Sequence, residues 1–268
     1  MKIPQIVGIL NITPDSFSDG DNYNHIEGAI SHAKSMIDAG ANIIDVGAVS
    51  TRPNADYISY SEEIKRLSVI LPELKKLVNN TKIKISLDSY NYQTIAKYLP
   101  YIDIINDVTG LDDSNMQAVA IESGKDIIFM HSMGVPVDNS LRCLDQNQNV
   151  IENLLNWRDC KLEEFESKGI KPSQLIFDPG VGFGKNATQS FEIILRINEL
   201  VSDRIKILVG HSRKSFLSLF GEKDPKKRDL ETHITTTYLL DKDIDYIRIH
   251  DVSGSIRAIN LYNKLRGA

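Results

Sequence analysis

The stretch Leu175-Ile176-Phe177-Asp178 decides the fold, because it is a short apolar run that stops at a polar or charged residue and this pattern recurs along the chain. Eight such runs, most of them rich in Ile and Val, are separated by enough sequence for a helix. A strand, a loop and a helix repeated eight times predict a closed parallel barrel of the (β/α)8 TIM type. The predicted strands cover residues 6–10, 43–46, 83–87, 102–105, 127–130, 175–177, 207–209 and 246–249.

Helical patterns with capping residues lie between the predicted strands. Gly40 and Gly124 each follow one pattern and Ser61 opens another, and these residue types are usual at helix ends. The predicted helices cover residues 27–39, 61–78, 114–123, 149–167, 190–201, 230–240 and 255–264. Three irregular segments, 11–24, 47–60 and 132–147, each follow a strand. Loops of this length in a compact domain are usually binding loops or lids.

Length and composition bound the class of protein. A chain of 268 residues is typical of one α/β barrel, so we expect a single domain over residues 1–268. The hydrophobic fraction of 41% and the charged fraction of 25% are those of a globular protein with a core. The 31 Lys and Arg against 36 Asp and Glu give a net charge of −5, which excludes a general basic surface for nucleic acid or anionic membrane.

The location expected from the sequence is the cytoplasm. No apolar stretch approaches the ~18 residues of a membrane span, and the first strand begins too early to leave room for a signal peptide. Cys143 and Cys160 have neither metal-site nor disulfide spacing, as is usual in a reducing compartment. We therefore expect small-molecule partners, with no nucleic acid and no membrane.

Polar residues end the apolar runs, and in a parallel barrel the carboxyl ends of all strands meet at one mouth. The ending residues are Asn11, Asp45, Asp88, Asn106, His131, Asp178, His211 with Ser212, and His250. Asp88, Asn106 and Asp178 could pair with the edge of a flat heterocycle, because an unpaired buried polar group costs about 1–3 kcal/mol. Each alone could instead cap a helix or form a turn. The three together favour a polar pocket.

Two loop sequences are typical of ligand contacts. Gly47-Ala48-Val49-Ser50-Thr51-Arg52-Pro53 places a guanidinium on a backbone stiffened by proline, and this group suits carboxylates and phosphates. Asp178-Pro179-Gly180-Val181-Gly182-Phe183-Gly184-Lys185 has glycine at every second position, which permits close backbone approach, and Phe183 offers a face for stacking a ring. The alternative for both is an ordinary surface connection.

A cluster of cations follows the last two strands. The segment Val209-Gly210-His211-Ser212-Arg213-Lys214-Ser215-Phe216 is predicted to open a helix, and loops after strands seven and eight of α/β barrels often bind anions. Arg248 and His250 alternate along the eighth strand and so share a face. Together with Lys214 they predict a diphosphate site. The alternative is an exposed basic helix start beside a hydrogen-bonded His.

Five sequence blocks, in order from Ile6 to about Leu265, resemble those of the dihydropteroate synthase family. The blocks are residues 8–20, 50–53, 106–110, 178–185 and 212–216. The resemblance implies a transferase of folate biosynthesis, built as a pterin-binding TIM barrel, usually a homodimer and a target of sulfonamides. It implies a reaction that joins 6-hydroxymethyl-7,8-dihydropterin diphosphate to 4-aminobenzoate, gives 7,8-dihydropteroate and releases diphosphate.

The resemblance also implies roles for individual residues. The pterin would be bound by Asp88, Asn106, Asp178 and Lys214. The diphosphate would be bound by Asn11, Arg248 and His250, with Asn11 also a ligand of the cofactor Mg²⁺. The 4-aminobenzoate would be bound by Thr51, Arg52, Pro53, Phe183, Ser212 and Ser215. The catalytic residues would be Asp88, Asp178, Lys214, Arg248 and His250. Asp45 and His131 receive no role, and we expect them to serve the scaffold.

A carbocation-like transition state is expected, because diphosphate leaves from a CH₂ on an electron-rich dihydropterin. Positive charge arranged around the departing diphosphate would then be the largest catalytic contribution. The chain departs from the family pattern at 47–50, at 130–134 and at 87–89, without losing a proposed ligand-binding group. Two other functions stay open. One is a non-catalytic pterin-binding paralogue or pterin-dependent methyltransferase, and the other is a lyase with Lys214 as a Schiff-base amine.

Overall fold

Short parallel strands follow one another around a closed barrel in sequence order, so the predicted TIM barrel is confirmed. The computed structural model describes residues 3–12, 22–50, 58–134 and 143–267, with the backbone alone at 22–25. The eighth strand pairs with the first, with Val7 opposite Arg248. The strands are β1 (Gln5–Asn11), β2 (Ile43–Gly47), β3 (Lys84–Asp88), β4 (Ile104–Asp107), β5 (Asp126–Met130), β6 (Leu175–Asp178), β7 (Lys206–Val209) and β8 (Tyr246–Ile249).

Helices cover the outside of the barrel. They are α1 (Asn22–Ala39), α2 (Tyr60–Leu77), α3 (Tyr92–Tyr98), α4 (Ser114–Ser123), α5 (Val150–Ser167), α6 (Ala187–Leu195), α7 (Asp229–Leu239) and α8 (Val252–Leu265). The predicted boundaries agree best where capping is strong. Asn149 accepts two backbone hydrogen bonds at the start of α5, and Gly124 ends α4 with a φ of 62°. Among the described helices, none is both long and apolar enough to cross a membrane.

Three local predictions are wrong. The helix α3 was not predicted. It has only seven residues, and its N-cap residue Asn91 makes no side-chain capping bond. Neither hydrophobic periodicity nor a capping signal therefore identifies it in the sequence. The helix predicted over 190–201 is divided, because α6 ends at Leu195 and a separate 3-10 helix covers Ile197–Leu200. In place of the helix expected directly after β7 there are two 3-10 segments, Ser215–Leu219 and Pro225–Lys227.

An apolar layer fills the barrel interior below the mouth. Its side chains are Val7, Ile43, Ile104, Ile128, Ile176, Leu208 and Tyr246. Strand side chains alternate between the two faces of a sheet, so the residues two positions further along point into the same interior one layer nearer the mouth. These are polar on four strands, namely Asp45, Asn106, Asp178 and Arg248. The site therefore rests directly on a packed apolar floor.

Candidate functional site

Arg248 joins three strands at the centre of the mouth. Its Nε lies 2.6 Å from Asp45 Oδ2, and its Nη2 lies 2.8 Å from Asp88 Oδ2. These partners are 203 and 160 positions away in the sequence. The guanidinium fork of Arg can serve two acceptors at once, and bonds between ionised groups are the stronger class. Arg248 thus lies between two carboxylates, with a fifth of its side chain still exposed.

Asp45 is fully buried in the middle of β2, which continues one residue beyond the predicted strand to Gly47, so Asp45 lies inside the strand and not at its end. Besides Arg248, Asp45 faces Asn106, whose Nδ2 lies 3.2 Å from both of its carboxylate oxygens. A buried carboxylate is retained where such partners compensate for lost hydration. Asp45 therefore orients one residue of the predicted pterin set and one of the predicted diphosphate set.

Asp88 at the end of β3 completes this network. Burial raises the pKa of Asp88 to about 7, although the neighbouring Arg248 opposes the shift, and the charge of Asp45 adds to it. The mouth therefore holds a carboxyl group whose protonation changes close to neutral pH.

Asp178 ends β6 and begins the glycine-rich loop. Its Oδ1 accepts a 2.8 Å hydrogen bond from the Gly180 N–H, which fixes the carboxylate against its own loop. Burial raises its pKa, while the Gly180 hydrogen bond and the charges of Lys214 and Arg248 oppose that change. The charge of Lys185 acts in the same direction, so Asp178 is a buried acceptor with three cations nearby.

Lys214 lies over the ring of Phe183, with Nζ 4.1 Å from the ring centroid. This cation–π geometry joins the segment after β7 to the glycine-rich loop after β6. An aromatic face and an ammonium group therefore adjoin each other at the mouth, as the sequence predicted for separate ligands.

The segment after β7 turns adjacent side chains in different directions. Arg213 has a φ of 58° and points to Asp229 at the start of α7, with two bonds of 2.7 and 2.8 Å. Ser212 instead meets His250, whose Nδ1 lies 3.0 Å from Ser212 Oγ. The His250 backbone N–H also donates to that hydroxyl at 3.2 Å. The ends of β7 and β8 are therefore joined through Ser212.

Lys185 closes the glycine-rich loop from inside. Its side chain is 2% exposed, and its Nζ lies 2.9 Å from His131 Nδ1 and 2.9 Å from the Gly180 carbonyl oxygen. It also donates to the carbonyls of Phe183 and His131 at 3.0 and 3.2 Å. His131, at the end of β5, packs edge-on against Trp157 with ring centroids 5.0 Å apart.

Comparison with known proteins places this geometry in a family. The family model described as "Pterin binding enzyme" matches residues 7–250. The dihydropteroate synthase of Staphylococcus haemolyticus is 36% identical over 96% of this chain and 93% of its own length. The chain belongs to the dihydropteroate synthase family. The predicted membership of this family is confirmed.

Longer and solved members of the dihydropteroate synthase family are also similar. A probable bifunctional folylpolyglutamate synthase/dihydropteroate synthase of Haloferax volcanii is 39% identical over 96% of this chain, which spans only 30% of that protein's length. The Anaplasma phagocytophilum synthase, solved with 6-hydroxymethylpterin-monophosphate, matches with a TM-score of 0.88 and 34% identity over 98% of this chain and 100% of that one. The Yersinia pestis synthase, solved with a sulfonamide, matches with a TM-score of 0.88 and 30% identity over 99% and 95%.

The structure brings together most of the residues that the dihydropteroate synthase resemblance implied. Asp88 and Asn106 are joined to Arg248 and Asp45. Lys214 lies over Phe183, and Ser212 contacts His250. The charges of Lys214 and Arg248 act on Asp178. Asn11 ends β1 on the same strand face as Val7 and is half-buried. Ser215 is exposed at the start of its 3-10 helix. Thr51, Arg52 and Pro53 lie outside the described residues.

One strand-end residue does not face the mouth. His211 is fully buried, and its Nε2 lies 2.9 Å from Thr236 Oγ1 and 3.2 Å from the Thr232 carbonyl oxygen of α7. Burial lowers its pKa to about 4. The expectation that all eight strand ends surround one pocket is therefore wrong for His211, because it lies where the chain turns outward under α7.

Sequence reasoning left three structural partners in this dihydropteroate synthase barrel without a role. Asp45 could have been found, because a carboxylate inside the apolar run Ile43-Ile44-Asp45-Val46 requires a buried partner. Lys185 gave no such signal, since a lysine at the end of a glycine-rich loop is usually exposed. His131 follows from Lys185 and could not be recognised before it.

Proposed function

We propose that this chain joins 6-hydroxymethyl-7,8-dihydropterin diphosphate to 4-aminobenzoate, forming 7,8-dihydropteroate and diphosphate. The observation that carries the proposal is the composition of the mouth. Carboxylate and amide groups from β3, β4 and β6 lie beside cationic groups from β8 and the segment after β7. A ligand that combines a polar heterocycle with an anionic leaving group matches both sets.

The pterin pocket is assigned to Asp88, Asn106, Asp178 and Lys214. Asp178 is a buried acceptor suited to the amino and ring N–H groups of the pterin, since buried donors and acceptors must pair. Asn106 is held by Asp45 and so presents a fixed amide. Lys214 would donate to a ring carbonyl or nitrogen from above Phe183.

In the reaction, the bond between the pterin CH₂ and the diphosphate oxygen breaks, and its electron pair leaves with diphosphate. The amino nitrogen of 4-aminobenzoate supplies the pair that forms the new C–N bond, and it then loses a proton to solvent. Arg248 and His250 would stabilise the departing negative charge, and Asp88 would stabilise the positive charge on the pterin. The aniline nitrogen needs no activating base at neutral pH, so the chemistry requires no nucleophilic dyad.

Mg²⁺ is proposed as the cofactor. Asn11 fits it, because the amide oxygen is a hard ligand and the residue ends β1 on the face that looks into the barrel. Within the described ranges there is no group of three or more His, Cys, Asp or Glu arranged for a metal ion. Mg²⁺ commonly keeps several waters and binds through few protein ligands together with substrate phosphates, so Asn11 and the diphosphate would hold it. When bound, it would neutralise charge on the leaving group.

The 4-aminobenzoate subsite is assigned to Phe183, Ser212 and Ser215 together with Thr51, Arg52 and Pro53. The support from the described residues is the half-buried Phe183 ring, which lies under Lys214, the N-cap residue of the 3-10 helix that begins at Ser215. Sulfonamides imitate aminobenzoate, and the related Yersinia pestis synthase was solved with such a drug. We propose that the same subsite of this chain binds sulfonamides.

A cytoplasmic homodimer is proposed as the working form. The outer face of α7 exposes Leu230, Ile234 and Tyr238 at intervals of four residues, which places them in one stripe. The neighbouring α8 exposes Leu261 and Leu265. A second copy of this chain would cover this apolar area. Light scattering should give a dimer mass, and Ile234→Glu should give the monomer mass.

The test of the activity is diphosphate release. Purified chain, Mg²⁺, the pterin diphosphate and 4-aminobenzoate should release diphosphate, and omission of either substrate should abolish release. No release from the complete mixture would defeat the proposal. Pterin binding that added diphosphate leaves unchanged would instead indicate a pterin-binding protein or methyltransferase.

A further inference from the structure

Lys185 is a cation that a substrate cannot reach. With 2% of its surface exposed, its ammonium group is surrounded by one imidazole nitrogen and three carbonyl oxygens at 2.9–3.2 Å. These four acceptors use all three donors of an ammonium group. Lys185 therefore acts through what it holds.

Lys185 binds the glycine-rich loop, whose own residues do little to restrict its backbone conformation. Gly180, Gly182 and Gly184 have φ values of 65°, 82° and 68°, in the left-handed region that glycine adopts readily. Glycine also loses the most conformational entropy on ordering, so this loop needs contacts from outside. One turn is closed by the Phe183 N–H donating to the Gly180 carbonyl at 3.0 Å. Lys185 binds the carbonyls at both ends of that turn.

The loop is seated on the end of β5. A side chain at Gly180 would begin 2.0 Å from the His131 carbonyl oxygen, so the two backbones are in direct contact. Lys185 binds the same carbonyl and the ring of the same residue. Burial and the Lys185 charge lower the pKa of His131 to about 3, so the ring is neutral, its Nδ1 accepts, and its proton is on Nε2.

The held loop presents two groups to the mouth. The Gly180 N–H binds Asp178 Oδ1 at 2.8 Å, and the Phe183 ring lies 4.1 Å from Lys214 Nζ. Gly180 and Phe183 are also the residues whose carbonyl oxygens Lys185 binds. A shift of the turn would therefore disturb the Asp178 carboxylate and the Phe183 ring together.

We propose that Lys185 and His131 are positioning residues that place Phe183, and through Gly180 also Asp178, for the two substrates. The inference rests on the proposed function, because it concerns how that site is built. Phe183 belongs to the turn that Lys185 holds, whereas Asp178 is also anchored in β6, so the aminobenzoate side depends more strongly on the pair.

The variants separate positioning from general stability. His131→Asn keeps an acceptor near the Nδ1 position and His131→Leu removes it, while both lose the ring. Lys185→Met keeps the chain length without the donors, and Lys168→Met, a half-exposed lysine at the end of α5, is its control. Kinetic constants for both substrates and thermal unfolding are measured for each.

Loss of the Lys185–His131 hydrogen bond predicts about a tenfold higher KM for 4-aminobenzoate in His131→Leu. Lys185→Met removes the carbonyl contacts as well and should raise this KM by at least as much. His131→Asn and Lys168→Met should stay within about twofold of the parent, since each keeps the Lys185 contacts. Equal KM values for His131→Asn and His131→Leu would overturn the proposal, as would a Lys185→Met protein with lower thermal stability and unchanged KM. If Lys185→Met does not fold, the His131 pair decides.

Ligand binding distinguishes failure of this inference from failure of the proposed function. Calorimetric titration with 6-hydroxymethylpterin reports the pterin pocket alone, and titration with pteroic acid reports both subsites. The ratio of the two affinities should change about tenfold in His131→Leu and stay constant in His131→Asn. An unchanged ratio in His131→Leu defeats the inference alone. A parent chain that binds neither ligand defeats the proposed function.

Discussion

Two cations of the same mouth, Arg248 and Lys185, have opposite kinds of partner. Arg248 lies between the carboxylates of Asp45 and Asp88, and a fifth of its side chain is exposed. Lys185 lies among carbonyl oxygens and a neutral imidazole and is sealed from solvent. Charged partners and an open edge allow an anionic ligand to compete for Arg248. Neutral partners and full burial leave Lys185 only the task of holding backbone.

Their electrostatics differ in the same way. Burial lowers the pKa of both groups, but the charges of Asp45 and Asp88 more than compensate at Arg248 and raise its pKa above the usual range. At Lys185 burial prevails over the charge of Asp178, and the pKa falls to about 7. The comparison teaches that the partners, and not the depth alone, decide whether a cation serves binding or positioning.

Arg248→Met should have the largest effect. It removes charge from the leaving-group side and leaves Asp45 buried without its ion-pair partner. We expect kcat/KM to fall by about 10³-fold and unfolding free energy to fall by about 3–5 kcal/mol. Diphosphate release and urea unfolding measure the two effects. Arg196→Met, at a surface ion pair, is the control, and turnover within tenfold of the parent would contradict the role of Arg248.

Asp178→Asn tests the carboxylate that lies near both Arg248 and Lys185. The amide replaces a carboxylate that accepts from Gly180 and would accept from the pterin, and it introduces a donor where acceptors are needed. Pterin affinity should fall by about 100-fold. Calorimetric titration with 6-hydroxymethylpterin measures the change. Unchanged affinity would remove Asp178 from the pterin pocket.

Gly180→Ala tests how closely the glycine-rich loop that Lys185 holds packs against the end of β5. Its new methyl group would collide with the His131 carbonyl in addition to the cost of a positive φ, so we expect a loss of about 2–4 kcal/mol of unfolding free energy. Gly124→Ala has a similar φ of 62° with open space around it and should lose about 1 kcal/mol. Urea unfolding compares the two. Similar losses would show that the loop is not closely seated on β5.

The pH dependence of kcat/KM should report the protonation of Asp88, the carboxyl group that lies beside Arg248. Because the pKa of Asp88 is raised to about 7, its carboxylate forms as pH rises through neutrality and is lost below it. If the charged form supports the reaction, kcat/KM should rise about tenfold per pH unit below that pKa and level off above it. Rates between pH 5.5 and 8.5 test this. In Asp88→Asn, the pH dependence of kcat/KM that remains should come only from titration of the substrate. An unchanged fall of kcat/KM at low pH would exclude Asp88 as the group responsible.

Much of the barrel and its mouth could be predicted from local pattern. The apolar runs gave the strands to within two residues, since burial on both faces selects Ile, Val and Leu at successive positions. Asp178 and Asn106 were recognised because they follow such runs. The short α3 was missed because seven residues carry too little periodicity.

Contacts between distant segments were not predictable in the same way. Arg248 was expected to bind a diphosphate together with Lys214 and His250, and the structure pairs it with Asp45 and Asp88. His211 was expected at the mouth and packs under α7. In both cases the identity of the nearest partner depends on barrel closure, which no local pattern records.

The sequence by itself determined the repeat, the strand faces and the change from an apolar layer to a polar one, because side-chain alternation along a strand is a local property. Only the tertiary structure decided which polar groups meet. Arg248 reaches a carboxylate 203 positions away because β8 closes beside β1. Lys185 becomes a buried positioning residue because its loop lies on the end of β5, which supplies the acceptors that compensate for its lost hydration.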